Sequence, residues 1–307
     1  MTVSADGAIP DGSTPSGAAT AVAAPGGYVP STRRLAREQY RRTRARRSAL
    51  IAGASTLATA CVLFFVITGS PGWARTRETF FNAQYARAAL PDVLRGLVLN
   101  LEMLVVCGAA VLVLGLLIAA ARTLRGPVFL PVRLLATAYV DFFRGLPLII
   151  LLLIMVFGVP ALQLTGVTND PVMLGGTALV VNYSAYVAEV FRAGIESVHP
   201  SQRAAARSIG LTNSQTMRFV VLPQAVRRVV PALLNDMVSL QKDTGLVSIG
   251  GAVDAVAAAR IQEAASFNFT PYIVAGLLFV ALTIPMTRFT DWLTRRMDRR
   301  RSQGGVV

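Results

Sequence analysis

The stretch LIAGASTLATACVLFFVIT, residues 50–68, carries no charge from end to end. As a helix rising about 1.5 Å per residue it matches a hydrocarbon layer about 30 Å thick. A helix satisfies all its own peptide groups, which is the condition for standing in lipid. Eight arginines crowd residues 33–47 just ahead of it. By the positive-inside rule they hold the N-terminal side in the cytoplasm. The run begins at residue 50 and is too long for the apolar core of a cleavable signal peptide.

Five more apolar blocks follow, at 93–121, 129–162, 171–190, 229–247 and 271–287, and arginines gather at their ends. The pattern predicts an all-α polytopic membrane protein with six transmembrane helices and both termini cytoplasmic. The turn 122–144, the loop 192–228 and the basic C-terminus then lie inside, while 163–170, free of positive charge, lies outside. Residues 70–91, polar, aromatic and broken at Pro71 and Gly72, read as an external connector with an interfacial amphipathic piece. Arg75, Arg77 and Arg87 in it run against the charge rule. The chain divides accordingly. Residues 1–48 form a disordered, Arg-rich cytoplasmic tail, since 1–32 hold almost no large apolar residue. Residues 49–92 are the first span and connector, 93–291 the main transmembrane domain, and 292–307 a basic cytoplasmic tail.

Composition narrows the function. The chain is 53% hydrophobic with a net charge of +14, and Lys242 is its only lysine. Basic residues spread over one soluble face would suit nucleic acid. Here the arginines sit where apolar blocks end, so the partner they imply is the membrane and its lipid, not nucleic acid. Cys61 and Cys107 lie inside apolar blocks and His199 is the sole histidine, so neither a metal site nor a catalytic triad can be assembled. No catalytic residues are expected.

Polar groups inside the spans mark a candidate solute path: Glu102, Asn182, Asn235 and Asp236. Glu102 lies near the outer end of its span and could simply reach the interface. Glu189 is placed to pair with Arg192 at i,i+3, a structural role. Lys242 and Asp243 could pair inside the protein or mark the external end of their span.

The cytoplasmic loop 199–223 carries the most specific pattern. Ser201 can cap a helix in which Pro200 sacrifices no hydrogen bond. Ala204, Ala205 and Ala206 are strong helix formers with small side chains. Gly210 supplies a C-terminal stop with positive φ. Thr212, Asn213 or Ser214 can cap a second short helix, ended by Pro223. The product is a small-faced knob at the membrane surface, which physics alone leaves open between a docking element and a surface hairpin without a partner.

The spacing of Ala205-Ala206, Gly210, Val220 and Leu222-Pro223 resembles the EAA loop of ABC-importer permeases. Phe143-Arg144-Gly145-Leu146-Pro147-Leu148, the segment 184–195, Leu222-Pro223-Gln224-Ala225 and the segment 242–248 are similar to the polar amino-acid subfamily (histidine, glutamine, glutamate, arginine), over roughly 94–291. The resemblance implies a five-helix type I importer core with one extra N-terminal span. It is nearest to glutamate- and glutamine-type permeases of high-GC Gram-positive bacteria. It further implies that Ala204, Ala205, Ala206, Gly210, Leu211, Leu222 and Pro223 dock an ATPase subunit. Ala204 stands where the family has a glutamate, so docking here leans on shape and backbone. The other implied partners are a second copy of the ATPase, a second permease subunit, identical or not, and an extracytoplasmic substrate-binding protein.

The sole lysine lies in Gln241-Lys242-Asp243-Thr244, without the glycine a phosphate-binding loop requires. The chain is therefore expected to bind no cofactor, with ATP-Mg used by the separate ATPase. An importer permease for another small polar solute is an alternative, and a channel or secondary transporter acting alone is another, which predicts inverted repeats. No convincing repeat is present. A membrane scaffold or sensor using the same loop is the third reading.

Overall fold

The computed structural model describes residues 32–124 and 126–303, which hold helices and turns and no strand. The chain forms two compact units, Met1–Pro71 and Gly72–Val307. The first contains α1 (Thr32–Thr68). Its residues Leu50, Phe64, Phe65 and Ile67 are all exposed, as suits a helix bathed in lipid. The disorder expected of 1–48 falls largely outside the described residues. Within them it is corrected, because α1 begins at Thr32. The Arg-rich segment is made of good helix formers without glycine or proline, so it extends the apolar helix backwards.

The second unit contains α2 (Trp73–Phe80), α3 (Ala83–Thr123), α4 (Leu130–Gly145), α5 (Leu148–Leu153), α6 (Val159–Ala161), α7 (Pro171–Glu196), α8 (Pro200–Ser208), α9 (Asn213–Thr216), α10 (Leu222–Asp243), α11 (Ala255–Ser266) and α12 (Thr270–Gln303). Among the described residues, four helical runs are long and apolar enough to cross a membrane, or up to six if each of two bent pairs counts as one span. The block 129–162 is the first of these pairs, and 229–247 lies within the longer half of the second. Pro127–Gly145 meets Leu148–Ala161 at 102°, and Asn213–Gly250 meets Ala255–Ser266 at 48°. Gly145 and Pro147 account for the first bend, since proline forces the preceding residue out of the helical region.

Two connectors hold helix outside the apolar blocks. The helix α3 starts at Ala83, not after Pro91, because Asn82 caps it by accepting a hydrogen bond from the Gln84 amide at 2.9 Å. Residues 251–270, for which the sequence yields no expectation, contain α11, capped by Asp254, whose Oδ1 accepts from the amides of Val256 and Ala257 at 3.0 and 2.9 Å.

The core lies where α7 packs between α3 and α10, with Val111, Leu179, Val187, Leu240 and Val247 fully buried. Near the start of α3 the backbones of α3 and α11 touch. A Cβ on Gly96 would fall 2.3 Å from the carbonyl carbon of Asp254. Small residues that let backbones approach are the usual means of packing helices where no hydrophobic drive separates them from lipid. One turn further along α3, Asn100 is 1% exposed and donates to Thr244 Oγ1 at 3.2 Å and Asp254 Oδ2 at 3.1 Å, while accepting from the Ala255 amide at 3.1 Å. The second bend is thereby tied to α3 by side chains.

Gly96→Ala is expected to destabilise the solubilised protein by about 1–3 kcal/mol through overpacking. Gly276→Ala, with nothing within 4 Å of the new methyl, should leave the thermal midpoint unchanged. Equal midpoints for the two variants would show that α3 and α11 can separate freely.

Candidate functional site

The loop 199–223 folds as a rigid knob. Its first helix, α8, is capped by His199, whose Nδ1 accepts from the Ser201 amide at 3.2 Å. The cap expected at Ser201 is thus displaced to the residue before the proline, because Pro200 takes the first helical position and leaves His199 extended. Gly210 ends the helix at φ +90. Its amide donates to the Arg207 carbonyl at 3.0 Å. The Leu211 amide donates to the Ala206 carbonyl at 3.2 Å. Together these two bonds make a Schellman turn. Thr212 then caps α9 through a reciprocal box with Gln215, at 3.2 and 2.9 Å.

Pro223 does not end the second helix. Residues Met217–Val221 form a π-helical turn that leads directly into α10, with Pro223 in its first turn. The wider turn absorbs the hydrogen bond that proline cannot donate. Arg203 and Arg228 donate to the carbonyls of Ile195 and Ser197, and Gln224 bridges Gln202 to the Val220 carbonyl, so the knob is fastened to the end of α7. Of the seven docking candidates, Ala204, Ala205, Gly210, Leu222 and Pro223 are exposed, Leu211 is half-buried and Ala206 is buried. Ile209, 78% exposed at the tip, is an apolar contact residue that sequence reasoning missed. Its place four residues after Ala205 was the available signal.

At the C-terminal ends of α3 and α7, Glu189 accepts from Arg122 at 2.8 Å and from Arg192, which also reaches Glu196. The i,i+3 pairing expected of Glu189 is present, and Arg122 extends it between two helices.

The four polar residues read as a solute path separate. Asn182 and Asp236 line one cavity of ≈470 Å³ at the 102° bend, together with Arg144, Tyr183, Tyr186 and Asp243. That volume suits a small-molecule site. Asn182, 4% exposed, spends its amide on the bend itself, donating to the carbonyls of Phe143 at 3.0 Å and Leu146 at 3.4 Å. Asp236 Oδ2 is buried without a hydrogen-bond partner. Asp243 accepts from the Tyr183 hydroxyl at 2.6 Å. Asn235 is exposed and lines no part of this cavity, and Glu102 opens instead into an apolar groove between α3 and α7. Sequence reading missed Arg144, Tyr183 and Tyr186 as cavity residues, because only the bend and the packing of α7 on α10 bring them together.

The family described as the binding-protein-dependent transport system inner membrane component matches residues 111–299. The arginine transport system permease protein ArtQ of Bacillus subtilis is 34% identical over 209 residues, 68% of this chain and 93% of its own length. The probable glutamine ABC transporter permease protein GlnM of the same organism is 35% identical over 196 residues, 64% of this chain and 88% of its own. A crystal structure of an amino acid ABC transporter with histidines superposes with a TM-score of 0.63 at 32% identity, covering 67% of this chain and 94% of that one.

Asn182→Leu, similar in size but without donors, should cost about 1–3 kcal/mol by leaving the Phe143 and Leu146 carbonyls unpaired. Chemical denaturation of the solubilised protein measures it. An unchanged unfolding free energy would mean that the bend does not depend on this amide.

Proposed function

The chain belongs to the family of inner membrane components of binding-protein-dependent transport systems, and from that premise we propose that it lets a polar amino acid cross by alternating access, driven by a separate ATPase that grips the knob at 199–223. It is a multi-pass permease subunit of an amino-acid ABC importer in a bacterial membrane. The Schellman turn carries the proposal. It gives the knob one fixed shape, with Ala204, Ala205, Ile209 and Gly210 outward. A surface of small residues and one apolar tip fits a groove closely without needing a charge at Ala204. That supports docking by shape.

In this reading two ATPase subunits bind two such knobs, one from this chain and one from a second permease subunit, identical or not. An extracytoplasmic binding protein delivers the solute. ATP-Mg is used by the ATPase, and this chain binds no cofactor of its own. Both termini face the cytoplasm, with 1–48 and 292–307 flanking the membrane region and α1 an addition to a five-helix core. Solute passes the cavity at the bend, where Asn182 and Asp236 stand. The motifs favour a glutamate- or glutamine-like cargo.

Gly210→Val puts a β-branched residue at φ +90. That is a strain of about 1–3 kcal/mol, which reshapes the turn. Ala205→Glu places a charge on the exposed face. Either change should reduce ATP-driven amino-acid uptake in proteoliposomes by about tenfold or more, the loss that about 1.4 kcal/mol of docking energy brings. Membrane insertion should survive in both variants. Undiminished uptake in both would rule out the loop as the ATPase contact.

A further inference from the structure

The arginines of the connector run against the charge rule, and solute transport leaves them without a task. One of them, Arg77, lines a cavity of ≈660 Å³ together with its neighbour Glu78 and with Trp73, Phe81 and Asn82. Both charged side chains are exposed. Among the described residues neither of them enters an ion pair or a side-chain hydrogen bond. Successive residues of a helix point about 100° apart, so the two charges flank the cavity instead of cancelling each other. We infer that this cavity seats the headgroup of a phospholipid that carries both a phosphate and a primary ammonium, a phosphatidylethanolamine, in the leaflet away from the knob.

The depth of the cavity is set by what α2 is tied to. The apolar block of α12 begins at residue 271. Just before it the Phe269 amide donates to the Thr79 carbonyl at 2.9 Å, and the Phe269 ring stacks on Phe80 with 5.4 Å between centroids. Asn268 donates to the Glu78 carbonyl at 2.9 Å, and the Asn82 amide donates to Thr270 Oγ1 at 3.1 Å. The helix α2 is thus pinned, by backbone and ring, where α12 enters the hydrocarbon. That is the depth of lipid headgroups, and aromatic side chains collect there. The helix α10 leads away from the knob and α11 continues from it at 48°, which puts this end on the far side of the membrane from the knob. Phe81 is 58% and Phe267 83% exposed. In water two such rings would stand bare, whereas a headgroup layer covers them.

The chemistry divides along the cavity. The Arg77 guanidinium offers paired donors to phosphate oxygens. The Glu78 carboxylate accepts from an ammonium. A choline headgroup has no N–H to give it, and a glycerol headgroup brings no cation at all. Trp73 and Phe81 form the apolar wall for the lipid's glycerol backbone and first methylenes. Arg75, exposed and likewise unpaired, strengthens the pull on the phosphate. Lipid seating here is independent of which solute crosses.

The test is native mass spectrometry of the detergent-solubilised full-length protein, titrated with dioleoyl phosphatidylethanolamine, phosphatidylglycerol and phosphatidylcholine. Phosphatidylethanolamine should bind about tenfold or more tightly than either of the others, the effect of one charged hydrogen bond. Glu78→Gln should erase that preference without weakening phosphatidylglycerol, and Arg77→Ala should weaken all three lipids about tenfold. Both side chains are exposed, so both variants should keep the wild-type thermal midpoint, and the ranking of the three lipids on the unaltered protein reads the site without any variant. Equal binding of the three lipids, or phosphatidylglycerol bound most tightly, would overturn the inference. So would a phosphatidylethanolamine preference that both variants leave unchanged, since another site would then carry it. Displacement of bound phosphatidylethanolamine by free glutamine would assign the cavity to an amino acid instead. Variants that keep the lipid ranking but lose docking of an extracytoplasmic binding protein would assign the face to that protein.

Discussion

Every peptide group that a bent helix frees inside a bilayer must find a partner from the protein itself, because no water is there to provide one. Much of this fold answers that requirement. The bend at Gly145–Pro147 frees the carbonyls of Phe143 and Leu146, and the Asn182 amide on α7 takes both. The bend before α11 frees amides that Asp254 takes, and Asn100 on α3 holds Asp254 in turn. Polar residues that look like errors in an apolar span are the fastenings that allow spans to bend at all.

The same requirement places the cavity. The cavity lies at the bend in 129–162, against the face of α7 that carries Tyr183 and Tyr186. The 102° turn draws the chain aside there and brings Arg144 to the rim. Each side of the cavity has its own fastenings. On the α4–α7 side, Tyr139 donates to the Val181 carbonyl at 2.8 Å and Asn182 holds the bend. On the α10 side the contact across the cavity is the hydroxyl of Tyr183 on Asp243.

The apolar blocks, their number and the knob were all legible in the sequence, because each rests on local periodicity or on a motif a few residues long. The glycine turn at Gly210 and the cap at Thr212 are of this kind. What stayed illegible depends on partners far along the chain. That Asn182, which lines the cavity, also commits its amide to carbonyls on another helix is one such case. Glu102 reads from the sequence as either a path residue or an interfacial group, and the packing of α3 on α7 gives it a groove apart from Asp236. The helix α11 escaped notice because its alanines are only weakly apolar, although Asp254 before them was a cap in plain view. Pro223 looked like a stop, and only a π-helical turn, which leaves no mark in composition, lets the helix continue through it.

That continuity has a mechanical consequence. From Asn213 through the π turn to Asp243 the backbone is one rod. At the rise of a helix it is about 45 Å long. One end of it is the second helix of the knob, and its other half carries Asp236 and Asp243. A crank and its shaft are thus forged in one piece. Torque applied at the Asn213 end reaches both carboxylates along continuous helix, and the places where that rod can bend are the π turn and Pro231.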